Sequence, residues 1–288
     1  MERVSVYVDE PVAHRTGGKR RVAVYLGLAV LLAAATLVAV NATGSSVRSL
    51  SSQGADKVGN VLPQSSGCAV TFTNPGPPAL TACVSGHGNI NQLSYGPFTG
   101  PTNHLGTEGY CLREPNTGTT YYDATGSEAG WGVATQSSTA TTTTVTRTTT
   151  DGNFTLTQNI FFKYGSRLVL IGNLLKNNDT VTHPVIFNRY ADFDMDASSG
   201  SDVFDTVGAS VVAEQTNGVA LTSLGNIGLV LTFGAEGFTN WSTNTRTTCL
   251  PTFVAGPTAP GDYVAGMVHQ ESLAPGATVN FRVGYRLL

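Results

Sequence analysis

The sequence predicts an all-β domain built as a large sandwich of two packed antiparallel sheets. Three observations carry that expectation. Short stretches alternate apolar and polar residues, as a strand with one buried face does. Turn signatures made of Asn, Asp, Gly and Pro separate those stretches. No segment after residue 42 repeats apolar residues every 3.6 positions between capping residues, so no packed helix is expected there.

The chain starts differently. Lys19, Arg20 and Arg21 precede an uncharged, largely apolar run over residues 22–40, and the small polar segment Asn41-Ala42-Thr43-Gly44-Ser45 follows it. A basic patch, an apolar stretch and a small-residue exit direct a chain to export. The run has 19 residues, where a cleaved signal core has about 7 to 15 and a spanning helix roughly 17 to 25. Signal peptide and signal anchor therefore both stand. The positive flank keeps its side in the cytoplasm, so everything beyond residue 42 is expected outside, secreted or held by the helix. Arg20-Arg21 reads as an ordinary charged flank in preference to a twin-arginine signal. The expected organisation is a cytoplasmic n-region (1–21), a signal peptide or anchor helix (22–42), a flexible Ser, Gly and Gln-rich linker (43–66) and an all-β domain (67–288).

Within the domain, residues 68–73 and 80–83 flank Asn74-Pro75-Gly76-Pro77-Pro78, a proline-rich loop that neither strand can continue through. The tract 141–149 is threonine broken by Val145 and Arg147. Asp151-Gly152 follows, and then Phe154, Leu156, Gln158, Ile160 and Phe162 alternate with polar residues. Threonine favours strands and Asp-Gly favours tight turns, so this is a long hairpin and not a mucin-like stalk. Residues 167–175 are nearly continuously apolar, Asn177-Asn178-Asp179 turns the chain, and 185–193 returns. Further strands are expected at 211–214, 219–224, 228–233 and 262–268. Ala274-Pro275-Gly276-Ala277 then turns into a last strand at 279–285.

Charge and cysteine usage narrow the function. Without residues 1–42 the chain carries 11 basic and 16 acidic residues, a net charge of −5, which argues against nucleic acid, whose binding needs a basic face. Cys68, Cys83, Cys111 and Cys249 lie in the exported part with no C-x-x-C spacing, so they read as disulfides. Cys68 and Cys83 sit at the two ends of one hairpin and are expected to pair, leaving Cys111 with Cys249.

In order along the chain come Gly86-His87-Gly88-Asn89-Ile90-Asn91-Gln92-Leu93-Ser94-Tyr95, Glu108-Gly109-Tyr110, Tyr121-Tyr122-Asp123, the hairpin 147–158, and Arg189-Tyr190-Ala191-Asp192-Phe193-Asp194. This succession resembles the β-supersandwich that forms the N-terminal domain of bacterial glucoamylase-type enzymes. The resemblance covers about two thirds of the domain. It implies a supersandwich-like fold and a connection to sugars. Those enzymes keep their catalytic carboxylates in a separate helical barrel, so it implies no catalytic residue here.

Asp192, Asp194, Asp196, Asp202 and Asp205 form the densest acidic cluster. In an extended segment the first three line one face, and hard oxygen ligands at alternate positions suit Ca²⁺. The competing reading is a solvated strand end with Phe193 and Met195 turned inward. Ala197 stands where a helical calcium loop needs glycine, and Val203 where it needs Glu, so an EF-hand is excluded. His87, His104, His183 and His269 show no metal spacing. Glu108, Glu128 and Glu271, with His104 or His269, are the candidates for epimerase-like acid–base work. Tyr95, Tyr121, Tyr122, Trp131 and Trp241 are candidates for a sugar-stacking platform, against the reading that they belong to the core. The expected function is therefore an exported, non-catalytic β-sandwich that binds a glycan or a cell-envelope partner. A carbohydrate-active enzyme, epimerase-like or glycosidase-related, and a structural surface protein are the alternatives.

Overall fold

The computed structural model describes residues 67–74, 80–95, 103–162, 168–194, 202–207, 210–214, 218–223, 230–254 and 256–287. The apolar run 22–40, the linker 43–66, the loop 75–79 and Asp196 lie outside the described residues. Among the described residues no helix is long and apolar enough to cross a membrane.

The described chain is mostly β, in three antiparallel sheets. A small sheet has the order β1 (Val70–Asn74), β2 (Leu80–Val84), β3 (Ile90–Tyr95). A six-stranded sheet comprises β4 (Thr107–Glu114), β5 (Thr119–Ala124), β6 (Ser127–Ala129), β11 (His183–Asp192), β15 (Val230–Gly237) and β16 (Tyr263–Leu273), in the order β15-β16-β11-β4-β5-β6. An eight-stranded sheet comprises β7 (Thr135–Ser138), β8 (Thr142–Thr148), β9 (Phe154–Phe162), β10 (Leu168–Asn177), β12 (Val203–Val207), β13 (Ser210–Glu214), β14 (Gly218–Ser223) and β17 (Thr278–Leu287). Its order is β12-β13-β14-β17-β10-β9-β8-β7, open at both ends and not closed into a barrel.

The threonine tract and the alternating run pair as the Asp-Gly turn predicts, with Thr148 opposite Thr155. Gly152 takes φ 82°, a conformation that a side chain disfavours, and Thr149 N–H closes the loop onto the Phe154 carbonyl at 2.9 Å. Phe154, Leu156, Gln158, Ile160 and Phe162 are all buried while the residues between them face outward. The two large sheets meet through such inward rows. Phe187 of β11 stacks on Phe281 of β17 with centroids 5.2 Å apart, and Phe72 of β1 stacks on Phe162 of β9 at 5.6 Å, which seats the small sheet on one end of the core.

Three elements differ from expectation. β10 does not pair with β11: it lies between β9 and β17, so the turn at 177–179 carries the chain from one large sheet to the other. β12 forms within the stretch read only as an acidic cluster. Residues 238–248 are helical although their sequence has no apolar stripe and neither end has a side-chain cap. Tertiary contacts override propensity there. Trp241 packs edge-on against Tyr190 at 5.1 Å, and the disulfide from Cys249 to Cys111 pins the end of the segment to the outer face of the six-stranded sheet.

Both disulfides join the predicted pairs, Cys68 to Cys83 and Cys111 to Cys249. The second spans 138 residues. Replacing Cys111 and Cys249 together by Ser should lower unfolding free energy by roughly 3 to 5 kcal/mol in the chain-entropy view. Urea unfolding of the wild type and the double variant measures it, and an unchanged midpoint would mean that the segment is held without the bridge.

Candidate functional site

The inward rows are not apolar throughout. Six strands place one polar residue at the same level: Glu108 on β4, Asp123 on β5, Arg147 on β8, Gln158 on β9, Asn173 on β10 and Arg189 on β11, all buried. On one side of this belt lies a core containing Ile160, Phe162, Val169, Ile171 and Val283; on the other lies one containing Phe154, Leu156, Leu175, Phe187 and Phe281.

The loop after β2 enters the belt. Ser85 Oγ accepts from the N–H groups of His87 and Asn89 at 3.2 and 3.0 Å, which curls the loop so that its carbonyls point inward. Gly88 is required there: its φ is +87°, and a Cβ would collide with the Gln158 amide. Arg189 then binds in four directions. Its Nε donates to Glu108 Oε1 at 2.6 Å, Nη1 to Gln158 Oε1 at 2.6 Å and Asn173 Oδ1 at 3.3 Å, and Nη2 to the Gly88 carbonyl at 3.0 Å. Tyr285 O–H and Ile90 N–H also donate to Glu108, at 2.6 and 2.7 Å. Burial raises the Glu108 pKa and the Arg189 charge offsets part of that rise, while burial lowers the Arg189 pKa but Glu108 and Tyr285 together raise it by more.

A second ion cluster approaches the surface. His87 Nδ1 lies 2.9 Å from Asp123 Oδ2 and 3.0 Å from Glu128 Oε2. Asn89 Nδ2 donates to Asp123 Oδ1 at 2.6 Å. Arg147 Nη1 donates to Asp123, and its Nη2 donates to Glu128 Oε2 at 2.7 Å. Glu128 alone of these is exposed, at 39% of its side chain. His87, Asp123 and Glu128 lie close enough together to hold a metal ion. Arg147 already donates to both carboxylates, so the group has a guanidinium beside it. Burial pushes the Tyr110 hydroxyl pKa up, and Tyr110 donates to the His87 carbonyl at 3.1 Å.

The residues singled out in the sequence are distributed as follows. Tyr121, Trp131 and Trp241 are buried core residues, because a large aromatic surface is most stabilised out of water, and Tyr122 packs half-buried beside Trp241. They do not form an exposed platform. The Tyr95 side chain lies outside the described residues. The His269 ring makes no hydrogen bond to any of the three proposed glutamates. Glu108 is taken by Arg189, Glu128 pairs with His87, and Glu271 caps the Ser272 amide. Asp192 and Asp194 point to the same spot above Gly106. Asp205 instead accepts from Thr206 N–H at 2.7 Å.

Three structural neighbours have folds that overlap this one. A bacterial glucoamylase solved with acarbose has a TM-score of 0.52 at 11% identity, over 77% of this chain and 33% of that one, so this chain spans a third of the enzyme's length. A heparan sulfate lyase from Pedobacter heparinus gives a TM-score of 0.41 at 12% identity over 80% of this chain and 37% of that one. A putative aldose 1-epimerase from Escherichia coli K12 gives 0.40 at 12% over 76% and 99%. No protein-family profile and no curated protein matches the chain by sequence. The glucoamylase overlap shows a shared fold, in line with the resemblance read from the residues.

His269 is buried without a partner on either ring nitrogen, 5.1 Å from the Phe281 ring. Burial holds its pKa down to about 4. The unfolded imidazole protonates near pH 6.5 while the folded one stays neutral, so this group's contribution is present above about 6.5 and lost as pH falls through 4. His269→Leu should remove that acid-side loss. Melting curves from pH 7 to 4 check it: parallel declines in the two proteins would contradict the assignment.

Proposed function

We propose that this protein is an exported, non-catalytic β-sandwich that binds a glycan on the outer face of its eight-stranded sheet. One observation carries the reading. Along that face Thr144 donates to Asn159 at 2.9 Å, Thr146 meets Thr157 at 3.1 Å and Thr148 meets Thr155 at 3.0 Å, three uncharged rungs with spare hydrogen-bonding capacity. At one end of the row stands Phe161, 46% exposed, between Thr142 and Leu170. Gly172 sits opposite Asn159, with the Asn280 amide oxygen beside it. An exposed ring beside hydroxyls and amides suits a sugar, which offers an apolar face and a rim of hydroxyls. The fold shared with a glucoamylase supports the choice of ligand class. The basic and apolar N-terminal segment and the two disulfides support a location outside the cytoplasm, where a glycan or another envelope component would be met.

The saturation of the buried ion networks supports a non-catalytic role, since Arg147 and Arg189 engage the carboxylates that would otherwise do acid–base work. The rival reading, a sugar epimerase, rests on the approach of His87 to the exposed Glu128. Both are tested together. Glycan-array screening followed by calorimetry should give weak binding that Phe161→Ala reduces by roughly tenfold, equivalent to about 1.4 kcal/mol. NMR of reducing sugars should show no enzyme-dependent anomer interconversion. Interconversion abolished by Glu128→Gln would move the function to the epimerase class, and binding indifferent to Phe161 would remove the proposed face.

A further inference from the structure

We propose that His87, Asp123 and Glu128 bind a divalent transition metal, with Zn²⁺ the best fit, where the polar belt reaches solvent. The inference goes beyond the glycan reading and does not depend on it. Two strands and a loop assemble the site. Asp123 on β5 and Glu128 on β6 are direct partners across a tight turn in which Gly126 takes φ 81°. Residues directly opposite each other share a face of the sheet, so both carboxylates are delivered together. His87 comes from the loop that Ser85 curls, and its Nδ1 stands 2.9 Å from Asp123 Oδ2 and 3.0 Å from Glu128 Oε2. One ligand atom from each of the three residues lies within 4.8 Å of the other two, and no other group of His, Cys, Asp or Glu among the described residues meets that condition. His87 carries no metal spacing in sequence because Asp123 is 36 positions away and reaches it only through the fold.

The donor set selects the ion. An imidazole nitrogen with two carboxylate oxygens suits Zn²⁺, whereas Ca²⁺ takes 6 to 8 oxygens. Bonds of about 2.0 to 2.2 Å set neighbouring ligand atoms about 3 to 3.5 Å apart, so seating the ion asks only a small adjustment of these side chains. Arg147 leaves room for it in charge and in lone pairs. Among the described residues it is the one permanently charged cation bridged to either carboxylate, one guanidinium for two negative charges. Each carboxylate oxygen that accepts from Arg147 has a second lone pair for a metal, and hydrogen bonds from outside the ligand set are what orient such ligands. Asn89 Nδ2 holds Asp123 Oδ1 in the same way at 2.6 Å. The independent sign of a ligand is the other half of that amide. Asn89 is fully buried, and its Oδ1 has no hydrogen-bond partner. A buried acceptor without a donor is costly. An ion with three protein ligands keeps a water in its open position, and that water is a donor of the kind Asn89 Oδ1 lacks. Glu128, 39% exposed, marks the way in from solvent.

The test uses the whole protein, stripped with chelator and returned to buffer, then titrated with ZnCl₂ by calorimetry and melted with and without the metal. One Zn²⁺ per chain should bind, and about a hundredfold excess over Kd should raise the melting temperature by roughly 5 °C or more. His87→Ala and Glu128→Gln should each weaken binding at least about tenfold and remove most of the shift. His183→Gln, at a histidine that also lies near two carboxylates but outside the group, should leave both unchanged. His87→Ala keeps the backbone carbonyl that Gln158 and Tyr110 bind, and Glu128 is at the surface, so loss of binding can be read in a folded variant. No heat and no shift in the stripped wild type would overturn the proposal. So would Zn²⁺ binding that survives both His87→Ala and Glu128→Gln, which would place the ion elsewhere on the surface.

Discussion

The structure depends on a guanidinium placed where a sandwich normally puts a leucine. Arg189 lies between the two large sheets with no solvent contact, and its five N–H donors are shared among a carboxylate of its own sheet, two amides of the opposite sheet and the carbonyl of an entering loop. Burying such a charge is affordable only if nearly every donor finds an acceptor. That condition fixes the positions of Glu108, Gln158, Asn173 and Gly88 together. A slip of any of their strands by one residue would turn the polar group outward and aim an apolar one at the charge.

The belt that follows from this constraint explains the rest of the architecture. It separates two apolar cores, so β9, β10 and β11 each carry apolar, polar and apolar inward residues in that order. It also pulls the 85–89 loop into the interior, where the Gln158 amide and Tyr110 hydroxyl donate to the His87 carbonyl. Where the belt reaches the edge, Arg147 meets Asp123 and Glu128, and the network ends at a partly exposed carboxylate. Interior polarity therefore serves registration, while the outer face of the eight-stranded sheet carries the hydroxyl rungs.

Much of the fold was legible in the residues. Alternation located β9 and the last strand, the Asp-Gly pair located the β8–β9 turn, and hairpin geometry located the Cys68–Cys83 bridge, with Cys111–Cys249 left by elimination. Sheet order was not legible. β10 joins β17 across more than a hundred residues of sequence, and local periodicity carries no information on such a partner. The helix at 238–248 was also hidden, because packing of Trp241 and a disulfide stabilise it in place of caps or an apolar stripe. The belt did leave a signal. Gln158 interrupts an inward row, Asn173 interrupts an apolar strand, and Arg147 interrupts a threonine tract, each at the inward parity of its strand. One polar residue at inward parity is unremarkable; the same event in several strands marks a shared layer. Of the acidic cluster, Asp192 and Asp194 do point to one spot, as alternation in an extended segment predicts.

The central claim is that Arg189 and Glu108 act as one unit that registers the two sheets. A double-mutant cycle with Arg189→Met, Glu108→Leu and the pair, followed by urea unfolding, tests it most directly. Each single variant leaves an uncompensated buried charge or acceptor set and should lose roughly 3 to 5 kcal/mol, whereas the double variant should recover at least about 2 kcal/mol of the summed loss. Additive losses, with no coupling between the two positions, would contradict the account.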